Sequence, residues 1–327
     1  MKENTFVSII IPLVGINDYF LEAYPHLLAL DYENYEIIVL PDEPVSEDFN
    51  GIKIIPTGRV SPAIKRDIGA ENANGELLFF LDDDSYPQKD WIKKALPYFN
   101  DPLVAAAGGP AMTPPDDNFL QKVSGAVFLT KVGGGFPERY YPKGGTKEID
   151  DWPSVNLIVR KEMFIKIGGF KSEYWPGEDT KLCLEIIKIG GKILYVPDVA
   201  VWHHRRPGLL RHLKQIGNYG LHRGFFAKRY PETSFKLLYF IPVLFVLYLC
   251  LFIASLFFFS GLAYYLAFGF VLYAGVLIYA FFDINRKVKD FKISLVSLYY
   301  IILTHIWYGI RFFYGFVFVK ELKSKLR

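Results

Sequence analysis

The residues best suited to chemistry in this 327-residue chain are three consecutive aspartates, Asp82, Asp83 and Asp84. They directly follow an apolar run at residues 77–81, whose unbroken hydrophobic pattern predicts a strand buried on both faces. Ligands of open α/β sheets collect at the carboxyl ends of strands, which is where this cluster is expected. Asp82 and Asp84 offer hard oxygen ligands of the kind that Mg²⁺ or Mn²⁺ prefers. The alternative, for so short a pattern, is a solvated acidic turn.

A second pair of carboxylates, Glu178 and Asp179, stands at the start of a predicted helix. The helix dipole favours acidic side chains at this position and leaves them accessible, so they could serve a reaction. They could also act only as a helix cap. Lys65 and Arg66 are cations that could neutralise the phosphates of a substrate, or could simply belong to a solvated helix face.

Strand and helix patterns alternate along the first part of the chain, up to about residue 200. Residues 7–12 and 35–40 are predicted strands, and residues 19–30 and 61–72 are predicted helices, the second opened by a Ser-Pro pair. Such alternation predicts an α/β fold with a mostly parallel, Rossmann-like sheet of the nucleotide-binding type.

Six motifs in a fixed order resemble family 2 glycosyltransferases with the GT-A fold. They are VSIIIP at 7–12, YEIIV at 35–39, KRDIGA at 65–70, FLDDD at 80–84, GGF at 168–170 and GEDTKL at 177–182. The WHHRR run at 202–206 and the hydrophobic C-terminal part resemble the membrane-anchored members that build exopolysaccharides, O-antigens and other lipid-linked glycans.

The resemblance implies a metal-dependent, inverting transfer of a sugar from a nucleotide-diphosphate donor. Asp179 is then the general base that takes the proton of the acceptor hydroxyl, and Glu178 orients the acceptor. The divalent cation, Mg²⁺ or Mn²⁺, sits at Asp82 and Asp84, with His203 as the third candidate ligand. His204 is the next candidate, because adjacent strand residues face opposite ways.

The resemblance also implies a set of substrate-binding residues. Asp42, or Glu43 beside it, would read the base and ribose, although Pro-Asp-Glu-Pro replaces the usual Asp-Asp-Gly-Ser of the family at this point. Trp152 would stack on the acceptor sugar, with core packing as the alternative. The full set is Pro12, Asp42, Lys65, Arg66, Asp83, Asp151, Trp152, Asn156, Arg205 and Arg206.

The C-terminal part of the chain is predicted to lie in a membrane. Residues 237–282 contain no charged side chain, which is enough for two spans, at about 237–259 and 262–282. A third apolar segment, residues 293–319, carries His305 and Arg311, so it either spans or lies partly in the interface. The polar stripe to which these two residues belong could face the hairpin or the phosphate of an acceptor, or Arg311, near the end of the helix, could simply snorkel to the interface.

Basic residues flank the predicted hairpin on both sides, which favours a cytoplasmic location for its two ends. The N-terminal apolar run is short and contains Pro12, so a cleavable signal is not expected and the first domain should be cytoplasmic, at the inner membrane. The predicted divisions are a catalytic domain at 1–202, a basic amphipathic interfacial linker at 203–234, and a membrane region at 235–327.

The expected function is sugar transfer to a polyprenyl-linked glycan, with membrane lipids as further partners. The alternative is synthesis of a polyprenyl-phosphate monosaccharide. A haloacid dehalogenase phosphatase is disfavoured, because Tyr86 stands where its motif has Thr. A scaffold or transporter would not need Asp82, Asp84 and Asp179 together. Nucleic-acid binding is not expected, since the net charge is only +3 and the basic patch adjoins a hydrophobic span.

Overall fold

The computed structural model describes residues 4–322 of the chain, and its contacts divide it into two compact units. The first unit contains residues 4–114 and 141–204, and the second contains residues 115–140 and 205–322. Residues 115–140 therefore pack with the C-terminal part of the chain, although they lie between two strands of the first unit in sequence. The predicted three-part division of the chain stays a prediction.

The first unit contains all eleven strands of the described chain. They are β1 (Val7–Pro12), β2 (Tyr35–Leu40), β3 (Ile52–Ile54), β4 (Leu77–Leu81), β5 (Ser85–Pro87), β6 (Val104–Gly108), β7 (Ala111–Met112), β8 (Lys147–Ile149), β9 (Asn156–Arg160), β10 (Lys192–Tyr195) and β11 (Val201–His203).

The described chain also contains two short 3₁₀ helices, Leu96–Asn100 and Pro137–Arg139, and twelve α-helices. The α-helices are α1 (Asp18–Leu28), α2 (Pro62–Glu71), α3 (Trp91–Ala95), α4 (Phe119–Val127), α5 (Lys131–Gly134), α6 (Lys161–Ile167), α7 (Glu178–Lys188), α8 (Leu209–Arg229), α9 (Pro231–Ser234), α10 (Leu237–Phe258), α11 (Ser260–Val288) and α12 (Phe291–Val317).

Eight strands form one mixed sheet in the order β3-β2-β1-β4-β9-β6-β10-β8. Strands β1 to β4 are mutually parallel, and β9 runs antiparallel between β4 and β6. The first residue of β9, Asn156, therefore pairs with Leu81, the last residue of β4. This register places the start of β9 at the carboxyl end of the parallel strands.

A second, three-stranded sheet has the order β5-β11-β7. Strand β5 immediately follows the aspartate cluster, and β11 pairs with it so that His203 lies opposite Ser85. The small sheet thus brings the predicted histidine to the aspartates across more than a hundred residues of sequence.

Both faces of the large sheet are buried, as its continuous apolar strands predict. On one face Ile9 and Phe79 pack with Phe20 of α1 and Trp91 of α3. The opposite face packs against α2, α6 and α7, through residues such as Ala63, Phe164 and Leu182. The sheet is therefore the middle of three layers and holds its strand ends in fixed positions.

The second unit contains three helices long and apolar enough to cross a membrane: α10, α11 and α12, with mean hydropathies of 2.7, 2.0 and 1.5. Helix α4 packs on α11 and α12 through buried side chains such as Val123, Val127, Ala280 and Ile301. Lys287 donates a hydrogen bond to the carbonyl of Leu129, which ties the segment after α4 to the end of α11.

Candidate functional site

The aspartate cluster lies at the carboxyl end of β4, and its members point to different partners. Asp82 is more accessible than Asp84: 32% of the Asp82 side chain is exposed, against 8% of the Asp84 side chain. Asp84 Oδ1 lies 3.2 Å from Nε2 of His203. His204 points elsewhere, with its Nε2 3.2 Å from Glu22. Of the two adjacent histidines, His203 is therefore the one that meets the aspartates.

A divalent cation fits the donor set that meets here. One carboxylate and one imidazole, from Asp84 and His203, lie within 3.2 Å of each other, and both are ligand types that Mn²⁺ accepts. Within residues 4–322, no three His, Cys, Asp or Glu side chains converge into a complete metal cluster. Asp82, two residues before Asp84, is instead held by a cation from α2.

That cation is Arg66, which connects the two carboxylate centres. Its Nη2 lies 2.5 Å from Asp82 Oδ1, and its Nη1 lies 3.1 Å from Glu178 Oε1. Burial lowers the pKa of the guanidinium, but the negative charges of Asp82 and Glu178 outweigh burial, so the net pKa of Arg66 is raised. The group is charged at any physiological pH and links the end of β4 to the start of α7.

Glu178 and Asp179 occupy the first turn of α7, as their sequence position predicts. Burial and the neighbouring Asp179 raise the pKa of Glu178 to about 8, against the opposing charge of Arg66. Its second oxygen, Oε2, is buried and has no hydrogen-bond partner. A carboxyl group that keeps its proton at neutral pH can donate a hydrogen bond but cannot accept a proton.

Asp179 is oriented by two backbone N–H groups. Its Oδ1 accepts a bond from the N–H of Thr180 at 2.7 Å, and its Oδ2 accepts one from Ser154 at 3.4 Å. Ser154 is two residues before β9, whose first residue pairs with the last residue of β4. The sheet register therefore places Asp179 at the same edge as the aspartate cluster, independently of Arg66.

Lys65, beside Arg66 on α2, is buried and binds backbone carbonyls at the carboxyl ends of β1 and β2. Its Nζ donates to the carbonyls of Leu13 at 2.6 Å and Leu40 at 3.1 Å, and it forms an ion pair with Asp42. Pro12, the last residue of β1, is buried at the same edge. The predicted base-reading carboxylate therefore has a fixed position, held by a cation from the neighbouring helix.

Asp83 reveals a residue that the sequence analysis did not single out, Asn17. The Asn17 Nδ2 group donates to Asp83 Oδ2 at 2.7 Å, while its Oδ1 caps α1 by accepting from the N–H of Phe20. Asn before a helix is a recognisable cap, but nothing in the sequence indicates the contact with a residue 66 positions away.

Asp67 is a second residue whose long-range contact the sequence does not indicate. Its carboxylate accepts hydrogen bonds from the backbone N–H groups of Phe170 at 2.7 Å and Lys171 at 3.1 Å. Gly169, before them, has a φ of +79°, and a side chain there would lie 2.5 Å from Asp67. The KRD and GGF motifs are thus two halves of one structural contact, which positions the loop before α7.

Three of the expected acceptor-side residues are inside the protein. Trp152 is 2% exposed and donates its N–H to the carbonyl of Gly109 at 3.2 Å, so of the two readings offered above, core packing is the one its position favours. Asn156 is fully buried: its Oδ1 accepts a hydrogen bond from the indole N–H of Trp91 at 3.0 Å, and its Nδ2 donates one to the carbonyl of Val199 at 2.7 Å. Asp151 is also buried and accepts from the Thr180 hydroxyl at 3.0 Å.

Arg205 and Arg206 belong to the second unit rather than to the first. The backbone N–H of Arg205 donates to Asp117 at 3.3 Å, and its guanidinium lies over the ring of Tyr140 at 5.0 Å. The structure thus groups most predicted site residues at one sheet edge of the first unit and assigns these two arginines to a separate unit.

Comparison with known proteins gives a consistent picture. The sequence model of the family described as "Glycosyl transferase family 2" matches residues 8–168. The dolichyl N-acetyl-alpha-D-glucosaminyl phosphate 3-beta-D-2,3-diacetamido-2,3-dideoxy-beta-D-glucuronosyltransferase of Methanococcus voltae is 23% identical over 243 residues, which are 68% of this chain and 74% of that protein. The glucosyl-dolichyl phosphate glucuronosyltransferase of Haloferax volcanii is 22% identical over 227 residues, covering 60% of this chain and 68% of that protein.

A solved structure resembles this chain over most of its length. It is a mannosyltransferase from Pyrobaculum calidifontis in complex with GDP-Man and Mn²⁺, with a TM-score of 0.62 at 16% identity. The alignment covers 92% of this chain and 86% of that chain, and at this identity it is a likeness of fold.

Proposed function

Because the chain carries a glycosyl transferase family 2 domain at residues 8–168, we propose that the protein transfers a sugar, with inversion, from a nucleotide-diphosphate donor to a polyprenyl-linked glycan. The observation that carries the proposal is the guanidinium of Arg66, which pairs with Asp82 at 2.5 Å and with Glu178 at 3.1 Å. One buried cation thus joins the carboxylates suited to the donor to those suited to the acceptor.

The donor is expected at the edge formed by β1, β2 and β4. Asp42 accepts hydrogen bonds from the ribose or base, in a position fixed by Lys65. Asp84 and His203, with Asp82, would hold a divalent cation, which when bound neutralises the charge that develops on the departing diphosphate. A related fold solved with GDP-Man and Mn²⁺ supports this assignment. Arg66 supplies a permanent positive charge to the same region.

The acceptor hydroxyl is expected between Asp179 and Glu178. Inversion needs a base on the side opposite the leaving nucleotide, within hydrogen-bond reach of the attacking oxygen. Asp179 takes that proton, since two backbone N–H groups hold its carboxylate in place. Glu178 keeps its own proton, because burial raises its pKa to about 8, and can donate a hydrogen bond to the acceptor through Oε2.

The acceptor class is supported by two independent observations. The second unit has helices apolar enough to span a membrane, so a lipid-anchored acceptor is within the same environment. Both relatives described above are named for a dolichyl phosphate that already carries a sugar. These names favour a lipid-linked glycan over the alternative, in which free polyprenyl phosphate accepts the first sugar.

Charge placement supports a cytoplasmic position for the catalytic domain. Lys228, Arg229 and Lys236 precede α10, and Arg286, Lys287 and Lys289 end α11. Cations of this kind favour the inner side of a membrane, so a hairpin of α10 and α11 has both ends there.

The test is transfer by the purified full chain in lipid nanodiscs. Nucleotide-diphosphate sugars with different bases are supplied with Mn²⁺ and either polyprenyl phosphate or a polyprenyl-phosphate sugar, and free nucleotide is measured. We expect nucleotide release that depends on the sugar-bearing lipid. Equal or greater release with polyprenyl phosphate alone would select the alternative acceptor, and no release with any donor would overturn the proposal.

A further inference from the structure

We propose that α12 does not cross the membrane, although it is long and apolar enough to do so. Instead it lies with α8 in the lipid–water interface, and both of its ends are on the side where α10 begins and α11 ends. The partner of this two-helix layer is the bilayer surface. This inference concerns the second unit alone and does not depend on the proposed transfer reaction.

The two ends of α12 lie beside the same end of the α10–α11 hairpin. Phe291, its first residue, packs on Phe281 near the end of α11, with ring centroids 5.3 Å apart. Phe316, near its last residue, packs on Phe235 and Phe240 at the start of α10, at 6.3 and 5.5 Å. A crossing helix would instead finish near the turn between α10 and α11, at residues 258–260.

Helix α8 runs in the same direction along the C-terminal half of α12. His212 in its first turns contacts Thr304 at 2.9 Å, and further on a side chain at Gly224 would lie 2.1 Å from the carbonyl of Phe312. Near its end, Lys228 donates to the carbonyl of Val319 at 2.7 Å. The backbones of the two helices therefore stay close over most of the length of α8.

The charges of α8 exclude that helix from the hydrocarbon. Its cations recur along the whole helix, at Arg211, Lys214, Arg223, Lys228 and Arg229, so no stretch between them is longer than eight residues. A span needs about 20 apolar residues, and each cation would cost about 2.5–3.5 kcal/mol at the centre of a bilayer even on the most permissive scale. Since the half of α12 that packs on α8 must lie at the same depth, it too belongs to the interface.

The opposite face of α12 suits the lipid side of an interface. Its exposed large side chains are Leu295, Tyr299, Ile310, Phe313, Tyr314 and Val317. Two of them are Tyr, and Trp307, at the border with α8, is also exposed; the rings of Tyr and Trp prefer the boundary between headgroups and acyl chains. Water-facing cations on α8 and lipid-facing aromatic residues on α12 thus form the two sides of one layer.

The polar stripe of α12 is occupied by protein partners. Both ring nitrogens of His305 are engaged, by the Tyr273 hydroxyl at 2.8 Å and the Val132 carbonyl at 2.7 Å. Arg311 Nε donates to the carbonyl of Gly217 on α8 at 3.4 Å. For His305 and Arg311, contact with neighbouring helices is therefore the arrangement that the geometry favours.

Thiol accessibility in sealed membrane vesicles of known orientation tests the inference. In full-length protein with Cys183→Ala and Cys250→Ala, single cysteines are introduced as Ser260→Cys at the turn between α10 and α11, Arg286→Cys near the end of α11, and Lys320→Cys after α12. A membrane-impermeant maleimide is applied from each side, and labelling after detergent addition establishes that each thiol reacts. Glu321→Cys repeats the measurement one residue further on.

We expect Lys320→Cys and Arg286→Cys to react from the same side, and Ser260→Cys to react at least tenfold more from the opposite side. Labelling of Lys320→Cys and Glu321→Cys from the side of Ser260→Cys would show that α12 crosses, and would overturn the proposal. Glycosyl transfer by these variants can be present or absent without changing either outcome.

Discussion

At the scale of single residues, Asp179 and Glu178 are adjacent carboxylates with different surroundings. Two backbone N–H groups hold Asp179, while Glu178 is buried and keeps its proton to about pH 8. We therefore expect Asp179→Asn to bind donor almost normally and to lose about 10²- to 10⁴-fold in transfer rate. Glu178→Gln, which still offers a hydrogen-bond donor, should lose less. Turnover numbers and donor dissociation constants check both, and a dead Glu178→Gln beside an active Asp179→Asn would reverse the assignment.

Because Asp84 and His203 are expected to hold the metal, their variants should lose a different property from that lost by the Asp179 variant. Asp84→Asn should weaken both Mn²⁺-dependent donor binding and turnover, whereas the Asp179 variant should keep donor binding. His203→Ala should raise the Mn²⁺ concentration needed for half-maximal activity, and His204→Ala, whose side chain contacts Glu22 and stacks on Tyr19, is the matched control. Metal titration of activity measures this requirement. Full turnover of the wild type in EDTA would contradict the metal site.

Arg66 predicts a change in stability as well as in activity. Arg66→Met removes the hydrogen-bond donor shared by Asp82 and the buried Glu178 and should destabilise the protein by about 1–3 kcal/mol, the cost of a buried acceptor left without its donor. Adding Asp82→Asn should recover part of the loss, because the carboxylate that was paired with Arg66 is then removed. Denaturation of the single and double variants in detergent provides the comparison. A double variant less stable than Arg66→Met would argue against the pairing.

Some site residues could be predicted from the sequence, and others could not. Asp82, Asp84, Glu178 and Asp179 stand at a strand end or a helix start, where position alone indicates a function. Asn17 and Asp67 have site contacts 66 and 103 residues away, which only the folded chain brings together. For Trp152, the residue type suits stacking on a sugar and packing in the core equally well, and only its burial in the structure favours the core.

At the scale of elements, the patterns of the first unit predict β1, β2 and β4 and the helices α1 and α2 to within about two residues at each end. The Ser-Pro start of α2 is as expected, with Ser61 accepting from the N–H of Ile64 at 3.3 Å. The packing of residues 115–140 with the second unit could not be predicted, because their apolar pattern does not indicate which core they join. The contacts at both ends of α12 could not be predicted from the sequence either, since composition alone makes α12 a candidate span.

His212 joins three helices of the second unit and predicts how its stability depends on pH. Its ring contacts Ser124 of α4 at 2.8 Å and Thr304 of α12 at 2.9 Å, and burial lowers its pKa to about 4. The unfolded chain, with an ordinary value near 6.5, therefore takes up a proton first as the pH falls. This contribution to stability is complete above pH 6.5 and is lost toward pH 4, by about 1.4 kcal/mol per pH unit.

Thermal unfolding of the full chain in detergent between pH 7.5 and 4.5 measures this loss. His212→Gln should lower the melting temperature at pH 7.5 but flatten its fall with decreasing pH. His26→Gln, at an exposed histidine of the first unit, is the control for removal of one imidazole. An unchanged pH dependence in His212→Gln would exclude His212 as the group responsible.

At the scale of the whole molecule, one chain combines an α/β unit with an apolar helical unit. The family resemblance is confirmed by the family match at residues 8–168, and the predicted α/β fold by the likeness to the structure of a mannosyltransferase. The donor, the acceptor, the inversion and the side of the membrane remain proposals. They follow from carboxylates, cations and apolar helices whose positions are fixed, but the identity of a sugar or lipid leaves no comparable mark on the sequence.

Product analysis in a defined bilayer tests the central claim most directly. The full chain is incubated with Mn²⁺, the donor that releases nucleotide and a polyprenyl-phosphate sugar, and the lipid product is examined by mass spectrometry and by the anomeric coupling constants of its NMR spectrum. We predict a lipid heavier by one sugar residue, with the anomeric configuration opposite to that of the donor, and no such product from Asp179→Asn. A product with retained configuration, or the same product formed by Asp179→Asn at a near wild-type rate, would contradict the account.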